Sequence, residues 1–391
     1  MHVCGTNGKG STSLIMANIL SAAGYKTGRF TSPHIHSYLE RFTINGEMIT
    51  APELKKYVDE IERVIAVTFV NDKVRPTEFE LLTAIALQWF KDNRVDMVVM
   101  EVGMGGLYDS TNVIIPEVSI ITSVDLDHVE FLGHSIAEVA HNKAGIIKRE
   151  VPVVIGELSS PAYEVIEKKA QQESSPIYRS VMTKILSAQP LGLRGYEIEV
   201  KMISLELEKA YYSLAGDYQL ENLATALTAV EVLKQKAYHI SKEDIITALA
   251  HLKIGGRLEV INEDPLVIAD VAHNPHGAKA LNKALASLLP AKPKVLLCGI
   301  VDDKDAQGIL QNLDNNTTSC VITRPEGRRG KEWQRLEIIW RELYPQKPVK
   351  AIESIEEAVD YSLKQLNKDE YLLICGSFYI LDRARRMFTN L

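Results

Sequence analysis

The chain has 391 residues, 46% hydrophobic and 24% charged, a composition typical of a globular protein with two domains or one large domain and an appendage. Its net charge of -7 disfavours nucleic-acid binding. No apolar stretch is long enough to cross a membrane and no signal peptide is evident, so we expect a cytoplasmic protein. We also expect a monomer. The four cysteines are widely separated, which favours reduced core thiols over a zinc site or disulfides.

The chain opens with the end of a strand at residues 1–4, a glycine-rich turn at residues 5–10 and an amphipathic helix at residues 11–23. A second strand is predicted at residues 27–31. Because the chain starts inside a strand–turn–helix unit, we expect that an N-terminal segment is missing from this sequence.

The next part of the chain alternates between helical and strand patterns. Helices are predicted at residues 52–67, 76–91 and 135–147, and strands at residues 96–101, 118–122 and 151–155. This alternation predicts right-handed crossovers and a mainly parallel sheet. Between residues 178 and 214 a period of two predicts an antiparallel appendage, and a helix at residues 218–233 restores the first pattern.

A second series of strands and helices begins after residues 255 and 256, both glycine. Strands are predicted at residues 267–269, 294–298, 320–323 and 371–375. We therefore predict two domains, residues 1–252 and residues 253–391.

Residues 5–11 read Gly-Thr-Asn-Gly-Lys-Gly-Ser between a strand and a helix. Free backbone N–H groups and the helix dipole favour an anion at such a helix N-terminus. Lys9 would lie along the β- and γ-phosphates of a nucleotide, although Gly10 replaces the usual Ser or Thr of the strict pattern. A tight glycine turn with a solvated lysine is the alternative.

The predicted fold class is α/β, a mainly parallel-sheet P-loop ATPase domain followed by a smaller Rossmann-like α/β domain.

Carboxylates follow two of the predicted strands. Glu101 ends one strand, and Asp125-Leu126-Asp127-His128 follows the next. The carboxyl ends of parallel strands line the crevice where α/β sheets bind ligands, and carboxylate oxygens suit Mg²⁺. A lone histidine such as His128 is more often structural, and Lys143 on its own would be a surface cation. The residues alone leave both alternatives open.

These motifs, in this order, resemble the folylpolyglutamate synthase and dihydrofolate synthase family of the Mur ligase superfamily. The resemblance extends through residues 5–11, 31–34, 40–42, 101–112, 127–133, 143–148, 215–222, 256–259, 270–277 and 376–379. It implies an ATP-dependent, Mg²⁺-requiring ligase that joins L-glutamate to the γ-carboxylate of folate or tetrahydrofolate through an acyl phosphate. The nearest alternatives are a dihydrofolate synthase that joins dihydropteroate to glutamate, or an enzyme with both activities. A peptidoglycan Mur ligase and a non-catalytic nucleotide-binding regulator are more distant.

The resemblance also implies roles for individual residues. The catalytic residues would be Lys9, Lys143 and His273, with Lys143 carbamylated. The residues that bind ATP would be Asn7, Gly8, Lys9, Gly10, Ser11, Asn222, Arg257 and Asp270. The metal ligands would be Ser11, Ser32, Glu101 and His128. The substrates would contact Thr77, Glu78, Phe79, Glu80, Tyr108, Asp109, Ser110 and Ser377, although Phe79 alone would equally suit an ordinary helix core.

Two departures from the family pattern bear on the substrate. Leu107 stands where the family usually has arginine, which removes a cation near the substrate. The family also carries a segment before the phosphate-binding turn that helps to cover the folate. We expect substrate preference and activity to depend on these two differences.

Overall fold

The structure, a computed structural model, describes residues 1–69 and 75–388 and divides into two compact units. The first unit consists of Met1–Gln189, Glu197–Ser213 and Gln219–Leu252. The second consists of Pro190–Tyr196, Leu214–Tyr218 and the chain from Lys253 onward. Residues 70–74 and 389–391 of the two predicted domains lie outside the described residues, and the division after residue 252 stays a prediction.

The first unit is built on an eight-stranded sheet. Its strands are β1 (His2–Cys4), β2 (Thr27–Phe30), β3 (Phe42–Ile44), β4 (Glu47–Met48), β5 (Met97–Glu101), β6 (Ser119–Ile121), β7 (Val153–Ile155) and β8 (Ile177–Arg179). The order across the sheet is β4-β3-β2-β5-β1-β6-β7-β8. Strands β2, β5, β1, β6, β7 and β8 pair in parallel, whereas β3 and β4 form an antiparallel edge. This confirms the mainly parallel sheet predicted for the first part of the chain.

Helices alternate with strands through residues 1–252. They are α1 (Lys9–Ala22), α2 (Ala51–Thr68), α3 (Glu78–Asp92), α4 (Val129–Leu132), α5 (Ile136–Ala144), α6 (Ser160–Gln172), α7 (Asp217–Gln235) and α8 (Lys242–Ala250). Capping boxes begin α2, α3, α5 and α8, in which a Ser or Thr and an acidic residue satisfy each other's backbone N–H groups. Helix α1 differs because its N-cap, Gly8, provides no side-chain hydrogen bond.

Apolar side chains fill the space between this sheet and its helices. One cluster contains Phe30, Phe42 and Phe90, and another contains Ile121 and Ile155. Such complete burial explains why the parallel strands read as short apolar runs rather than as alternating patterns.

A three-stranded sheet follows, with β9 (Lys184–Pro190), β10 (Tyr196–Lys201) and β11 (Glu206–Tyr212) in the order β11-β10-β9. Along β10, Tyr196, Ile198 and Val200 are buried while the residues between them are more exposed. The period of two in the sequence therefore corresponds to a sheet with one buried face.

The second unit contains a six-stranded sheet. Its strands are β12 (Glu259–Glu263), β13 (Leu266–Asp270), β14 (Lys294–Cys298), β15 (Thr317–Ile322), β16 (Val349–Ala351) and β17 (Tyr371–Cys375), in the order β12-β13-β17-β14-β15-β16. All neighbours pair in parallel except β12 and β13. The helices are α9 (Pro275–Leu288), α10 (Ala306–Leu313), α11 (Arg335–Leu343), α12 (Ile355–Gln365) and α13 (Phe378–Arg386). The α/β prediction for this part of the chain is confirmed.

Across residues 1–69 and 75–388, every helix is too short or too polar to serve as a membrane span.

Candidate functional site

The carboxyl ends of four parallel strands meet at one edge of the first unit's sheet. In the register of the sheet, Val3 lies beside Glu101, Cys4 beside Ile121, and Phe30 beside Met100. The loops that follow these strands therefore begin at the same edge. They carry the glycine-rich turn, the Ser32 segment, the segment after Glu101 and the segment that contains His128.

The glycine-rich turn is held by the residues that follow β6. The Thr122 Oγ1 hydroxyl donates to the Asn7 carbonyl oxygen at 2.6 Å, and the Asn7 N–H donates to Ser123 Oγ at 2.9 Å. Helix α1 then begins at Lys9 without a side-chain cap. The backbone N–H groups at the start of α1 are therefore available to an anion, and the helix dipole favours a negative charge there.

Gly8 brings Asn222 against this turn. Gly8 has a φ of 84°, and a Cβ added to it would lie 2.2 Å from Asn222 Oδ1. Asn222 is buried, and its Nδ2 donates to Gln219 Oε1 at 3.0 Å. Two residues predicted to bind ATP, which lie more than two hundred positions apart in the sequence, are thus neighbours in the first unit.

Lys9 lies over the turn from which it emerges. Its Nζ donates to the carbonyl oxygens of Gly5 at 2.8 Å and Thr6 at 3.3 Å. These bonds hold the ammonium group beside the backbone that the sequence predicts to contact phosphate. The two carbonyl oxygens are neutral acceptors, and a phosphate oxygen would form a stronger, charge-assisted hydrogen bond with the Lys9 ammonium group.

The Glu101 carboxylate faces the start of α1. A Cβ added to Gly10 would lie 3.7 Å from Glu101 Oε2 and 3.8 Å from Oε1, and Glu101 and Ser11 are both buried. Burial lowers the pKa of the Arg29 guanidinium, and the charge of Glu101 partly opposes that change. A Cβ at position 10 would therefore be in ordinary van der Waals contact with this carboxylate, which places Glu101 directly beside the first turn of α1.

The other two predicted metal ligands lie in loops at the same edge. Ser32 follows β2, and His128 follows β6 in the left-handed conformation, with φ 50°. The His128 N–H donates to Asp127 Oδ1 at 2.9 Å, and the ring Nε2 is 3.9 Å from Asp127 Oδ2.

The donor types at this edge fit Mg²⁺ better than a transition metal. In the part of the chain that the structure describes, no three His, Cys, Asp or Glu side chains converge into a metal cage. Of the four predicted ligands, Glu101 and the two serines offer oxygen atoms and His128 offers a ring nitrogen, which makes a sparse and mainly oxygen donor set. Mg²⁺ is commonly held in this way, by one or two carboxylates together with substrate phosphates and water.

Lys143 is a buried lysine near the glycine-rich turn. It lies in the last turn of α5 and only 3% of its surface is exposed. The pKa of Lys143 is lowered from 10.5 to about 8, chiefly by burial. The charge of Lys9 contributes to this lowering, whereas Cys4, Asp127 and Asp109 oppose it. An amine with this pKa is partly neutral near pH 8, which an exposed lysine is not.

The residues predicted to bind the folate substrate lie at the start of α3 and in the 102–110 loop, which follows β5. Thr77 and Glu80 form the capping box of α3, with the Thr77 N–H and hydroxyl both donating to Glu80 Oε2. The Tyr38 hydroxyl donates to Glu78 Oε1 at 2.9 Å. Phe79 stacks on Phe30, with 5.8 Å between ring centroids.

The 102–110 loop packs closely on the Phe79 side chain. A Cβ added to Gly103 would lie 2.5 Å from the Phe79 ring. Ser110 Oγ is 2.7 Å from Thr83 Oγ1, and Asp109 Oδ2 accepts from the Met104 N–H at 2.9 Å. Tyr108 is 87% exposed, so its ring is open to a ligand.

The second unit brings its own predicted residues together at the carboxyl edge of β13 and β17, where Asp270 lies beside Cys375. Asp270 is buried, and burial raises the pKa of its carboxyl although Arg257 opposes that rise. Its oxygens accept from the Leu258 N–H at 2.9 Å and the Ala272 N–H at 2.8 Å.

His273 and Ser377 flank the same edge. The His273 ring lies 5.9 Å from the Phe378 ring, between centroids, and its Nδ1 is 2.9 Å from the Val271 carbonyl oxygen. The Ser377 hydroxyl caps α13 by accepting from the Tyr379 N–H at 3.1 Å.

The sequence interpretation missed Thr122, Ser123 and Arg29 as parts of this region. Thr122 and Ser123 directly follow β6, which is the strand beside β1, so their position at the carboxyl edge was a usable signal. Arg29 lies inside β2, and its sequence context carries no such signal.

Comparison with known proteins decides the family. The Mur ligase middle domain matches residues 3–230, and the Mur ligase glutamate ligase domain matches residues 256–378. A folylpolyglutamate synthase from Lacticaseibacillus casei is 35% identical, over 99% of this chain and 89% of that protein. The chain belongs to the folylpolyglutamate synthase and dihydrofolate synthase family of Mur ligases. As a member of that family it is an ATP-dependent ligase.

Other members of the family cover the same length. A dihydrofolate synthase/folylpolyglutamate synthase from Bacillus subtilis is 31% identical over 98% of this chain and 89% of that protein. The structure of Mycobacterium tuberculosis folylpolyglutamate synthase complexed with ADP matches with a TM-score of 0.94 and 31% identity, over 99% of this chain and 90% of that one. Escherichia coli FolC in complex with DHPP and ADP matches with a TM-score of 0.88 and 30% identity, over 99% and 87%. The predicted family and fold class are confirmed, whereas the roles of single residues stay predictions.

Proposed function

We propose that this ligase is a folylpolyglutamate synthase, which adds L-glutamate to the γ-carboxylate of a tetrahydrofolate at the expense of ATP. The observation that carries the proposal is the buried Glu101 carboxylate facing the uncapped start of α1. A phosphate-binding helix terminus with an adjacent oxygen ligand suits phosphoryl transfer. The relative from Lacticaseibacillus casei has the name folylpolyglutamate synthase alone.

The reaction begins with phosphoryl transfer. A γ-carboxylate oxygen of the folate attacks the γ-phosphorus of ATP, the bond to the β-phosphate oxygen breaks, and ADP leaves. Lys9 and the α1 N–H groups offset the charge on the transferring group. Bound Mg²⁺ would supply further neutralisation of that charge, with Ser11, Ser32, Glu101 and His128 as the residues proposed to hold it.

Amide formation completes the reaction. The amino nitrogen of glutamate attacks the acyl carbon, phosphate leaves, and the nitrogen loses a proton. We assign the glutamate to His273 and Ser377, and the nucleotide to Asn222, Arg257 and Asp270. Phe79, Tyr108 and Asp109 are our candidates for the folate, together with Thr77, Glu78, Glu80 and Ser110.

Dihydrofolate synthase activity is the second candidate function. Relatives from Bacillus subtilis and Mycobacterium tuberculosis have names that combine both activities. Leu107 bears on the choice between the two activities because it stands where the family usually has arginine. Its side chain packs on Gly145: a Cβ added to Gly145 would lie 2.5 Å from Leu107 Cβ. The apolar side chain therefore lies against α5 and adds no cation to the 102–110 loop. The expectation of a cytoplasmic monomer stays a prediction.

The decisive experiment measures ADP release with tetrahydrofolate or dihydropteroate as acceptor, each with and without glutamate. We expect release only when acceptor and glutamate are both present, and faster turnover with tetrahydrofolate. A preference for dihydropteroate would replace the proposed activity with dihydrofolate synthase. Nucleotide binding without any acceptor-dependent release would favour a regulator instead. Lys9→Ala serves as the control for contaminating ATPases, since we expect it to lower the rate about a hundredfold to a thousandfold.

A further inference from the structure

Asp109, in the 102–110 loop, stands at the end of a buried chain of hydrogen bonds that starts on β1. The His2 ring Nε2 is 2.8 Å from Thr111 Oγ1, and the Thr111 hydroxyl donates to Asp109 Oδ1. Oδ1 also accepts from the Thr111 N–H at 3.0 Å. His2 and Thr111 are both fully buried, so water does not compete for these bonds.

The direction of each bond in this chain is fixed by the chemistry of its members. A carboxylate only accepts hydrogen bonds, so the Thr111 hydroxyl proton points to Asp109. The hydroxyl oxygen must then accept from His2, which places the ring proton on Nε2. Nδ1 then carries a lone pair, and it is buried with no hydrogen-bond partner among the described residues. Burial lowers the pKa of His2 to about 3, which keeps the ring neutral at physiological pH.

A histidine is a costly choice at this position of β1. Its neighbours Val3 and Cys4 are fully buried and apolar or weakly polar, as is usual for a central parallel strand. An apolar residue at position 2 would avoid the unsatisfied Nδ1. The polar contact that His2 makes through its other nitrogen leads to Thr111 and from there to Asp109.

We propose that His2 is a positioning residue for the acceptor substrate: through Thr111 it orients the Asp109 carboxylate and fixes the 102–110 loop that receives the folate. This inference rests on the proposed function. His2 does not itself touch the substrate, since it is enclosed by β1 and its neighbours. Its effect should therefore appear in the binding of the acceptor and not in that of ATP.

The test compares His2→Leu and Thr111→Val with the parent enzyme. We expect the KM for tetrahydrofolate to rise about tenfold in each variant. In Thr111→Val, Asp109 loses the charge-assisted hydrogen bond from the hydroxyl. In His2→Leu, that hydroxyl loses the ring nitrogen that orients it. The KM for ATP should stay within about twofold of the parent value. Thr111→Ser keeps the hydroxyl and should retain the parent KM for tetrahydrofolate.

Ser119→Ala is the matched control. Ser119 lies beside His2 on β6, is fully buried, and donates its hydroxyl to the Ile146 carbonyl oxygen at 2.9 Å. It has no hydrogen bond to Asp109 or Thr111. Like His2→Leu, Ser119→Ala removes a buried hydrogen bond next to the first strand, but we expect it to leave the KM for tetrahydrofolate unchanged.

A double-mutant cycle separates positioning from simple structural support. In an Asp109→Asn background, His2→Leu should cause little further rise in the acceptor KM, because the interaction that it supports is already weakened. An equal rise in both backgrounds, or a parent-like KM in both His2→Leu and Thr111→Val, would overturn the inference. A parent enzyme without acceptor-dependent ADP release would refute the proposed function, and the inference would fail with it.

Nitrogen NMR of the unaltered enzyme provides a test that needs no variant to fold. We expect the His2 ring to be neutral with its proton on Nε2 between pH 6 and 8, and its signals to move when tetrahydrofolate binds. A ring protonated on Nδ1, or signals unchanged at saturating tetrahydrofolate, would contradict the proposal.

Discussion

Lys143 owes its chemical character to burial. An exposed lysine has a pKa near 10.5 and is almost wholly protonated at neutral pH, whereas burial lowers the pKa of Lys143 to about 8. Carbamylation requires the neutral amine to attack carbon dioxide. Because the pKa is lowered, the neutral fraction grows as the pH rises from about 7 through 8. The carbamate would turn a buried cation into an anion beside the predicted magnesium ligands, which removes a charge repulsion.

We expect the activity to rise with pH between about 7 and 8 when bicarbonate is limiting, and to rise less steeply when bicarbonate is in excess. Lys143→Ala should be poorly active and partly rescued by a short-chain carboxylic acid, because the acid can occupy the vacated space. Lys143→Arg should not be rescued, because it retains the positive charge. Labelled bicarbonate followed by carbon NMR of the parent enzyme checks the modification directly.

Lys294 is the matched control for Lys143. It is equally buried, and burial also lowers its pKa to about 8, but its ammonium group donates to the Asn315 carbonyl oxygen in the second unit. We expect no carbamate signal from Lys294. Equal labelling of both lysines, or none at Lys143 in the active enzyme, would show that the modification is not part of this site.

Gly8 and Gly24 separate backbone strain from crowding at the glycine-rich turn. Both have a left-handed φ, 84° and 87°, but a Cβ on Gly24 meets nothing within 4 Å, whereas one on Gly8 meets Asn222. Each alanine variant should therefore lose about 1 to 2 kcal/mol of stability from strain. Only Gly8→Ala should also weaken ADP binding in calorimetry, by about tenfold or more, because Asn222 must move. Equal ADP affinities for the two variants would argue against Gly8 and Asn222 as nucleotide contacts.

At the scale of elements, the sequence predicts the buried parallel strands well and the edge strands poorly. Strands such as β5 and β14 are short apolar runs between helices, so composition and spacing both identify them. The β3–β4 hairpin lies between the strand predicted at residues 27–31 and the helix predicted at residues 52–67, where we predicted no strand. Its turn, Asn45-Gly46, has φ values of 49° and 86° and is a strong hairpin signal that the pattern of apolar residues obscured.

The candidate site was predictable as a set of residues but not as a set of contacts. Chain order and strand ends indicate that Gly8, Glu101 and His128 lie at one edge of a sheet. They give no indication that Thr122 holds Asn7, or that His2 reaches Thr111, because these partners are more than one hundred residues apart. Such contacts depend on strand register, which single-sequence patterns do not specify.

The N-termini of α2 and α3 allow a test of whether a helix cap also serves the substrate. Thr50 and Thr77 form equivalent capping boxes, and both are exposed. Alanine at either position should cost about 1 kcal/mol in the free energy of unfolding, measured by denaturant titration. We expect only Thr77→Ala to raise the KM for tetrahydrofolate, since Thr77 lies next to Phe79 at the predicted folate site. A parent-like KM would leave Thr77 with the capping role alone.

At the scale of the whole molecule, the substrates and the protein have the same sign of charge. ATP, folate and glutamate are anions, whereas the chain has a net charge of -7. The overall field therefore does not attract them, and binding must depend on local positive potential, such as that at Lys9 and the start of α1. Carboxylates near these groups, including Glu101, would repel the substrates, and bound Mg²⁺ would reduce that repulsion together with Lys9 and Arg29.

The second unit takes two short segments from the earlier part of the chain, and this leads to a prediction about a chain cut near residue 253. Ala215 and Leu258 belong to one buried cluster in the second unit, and Tyr218 packs against it and lies close enough to Asp270 to form a hydrogen bond. A protease site introduced next to Lys253 should therefore give two fragments that co-elute in gel filtration and separate only in denaturant. A nicked Tyr218→Ala variant should separate at a lower denaturant concentration, because it loses both the packing and the hydrogen bond. Spontaneous separation of the nicked parent protein would show that residues 214–218 contribute little to the second unit, and that the predicted division after residue 252 describes two independent domains.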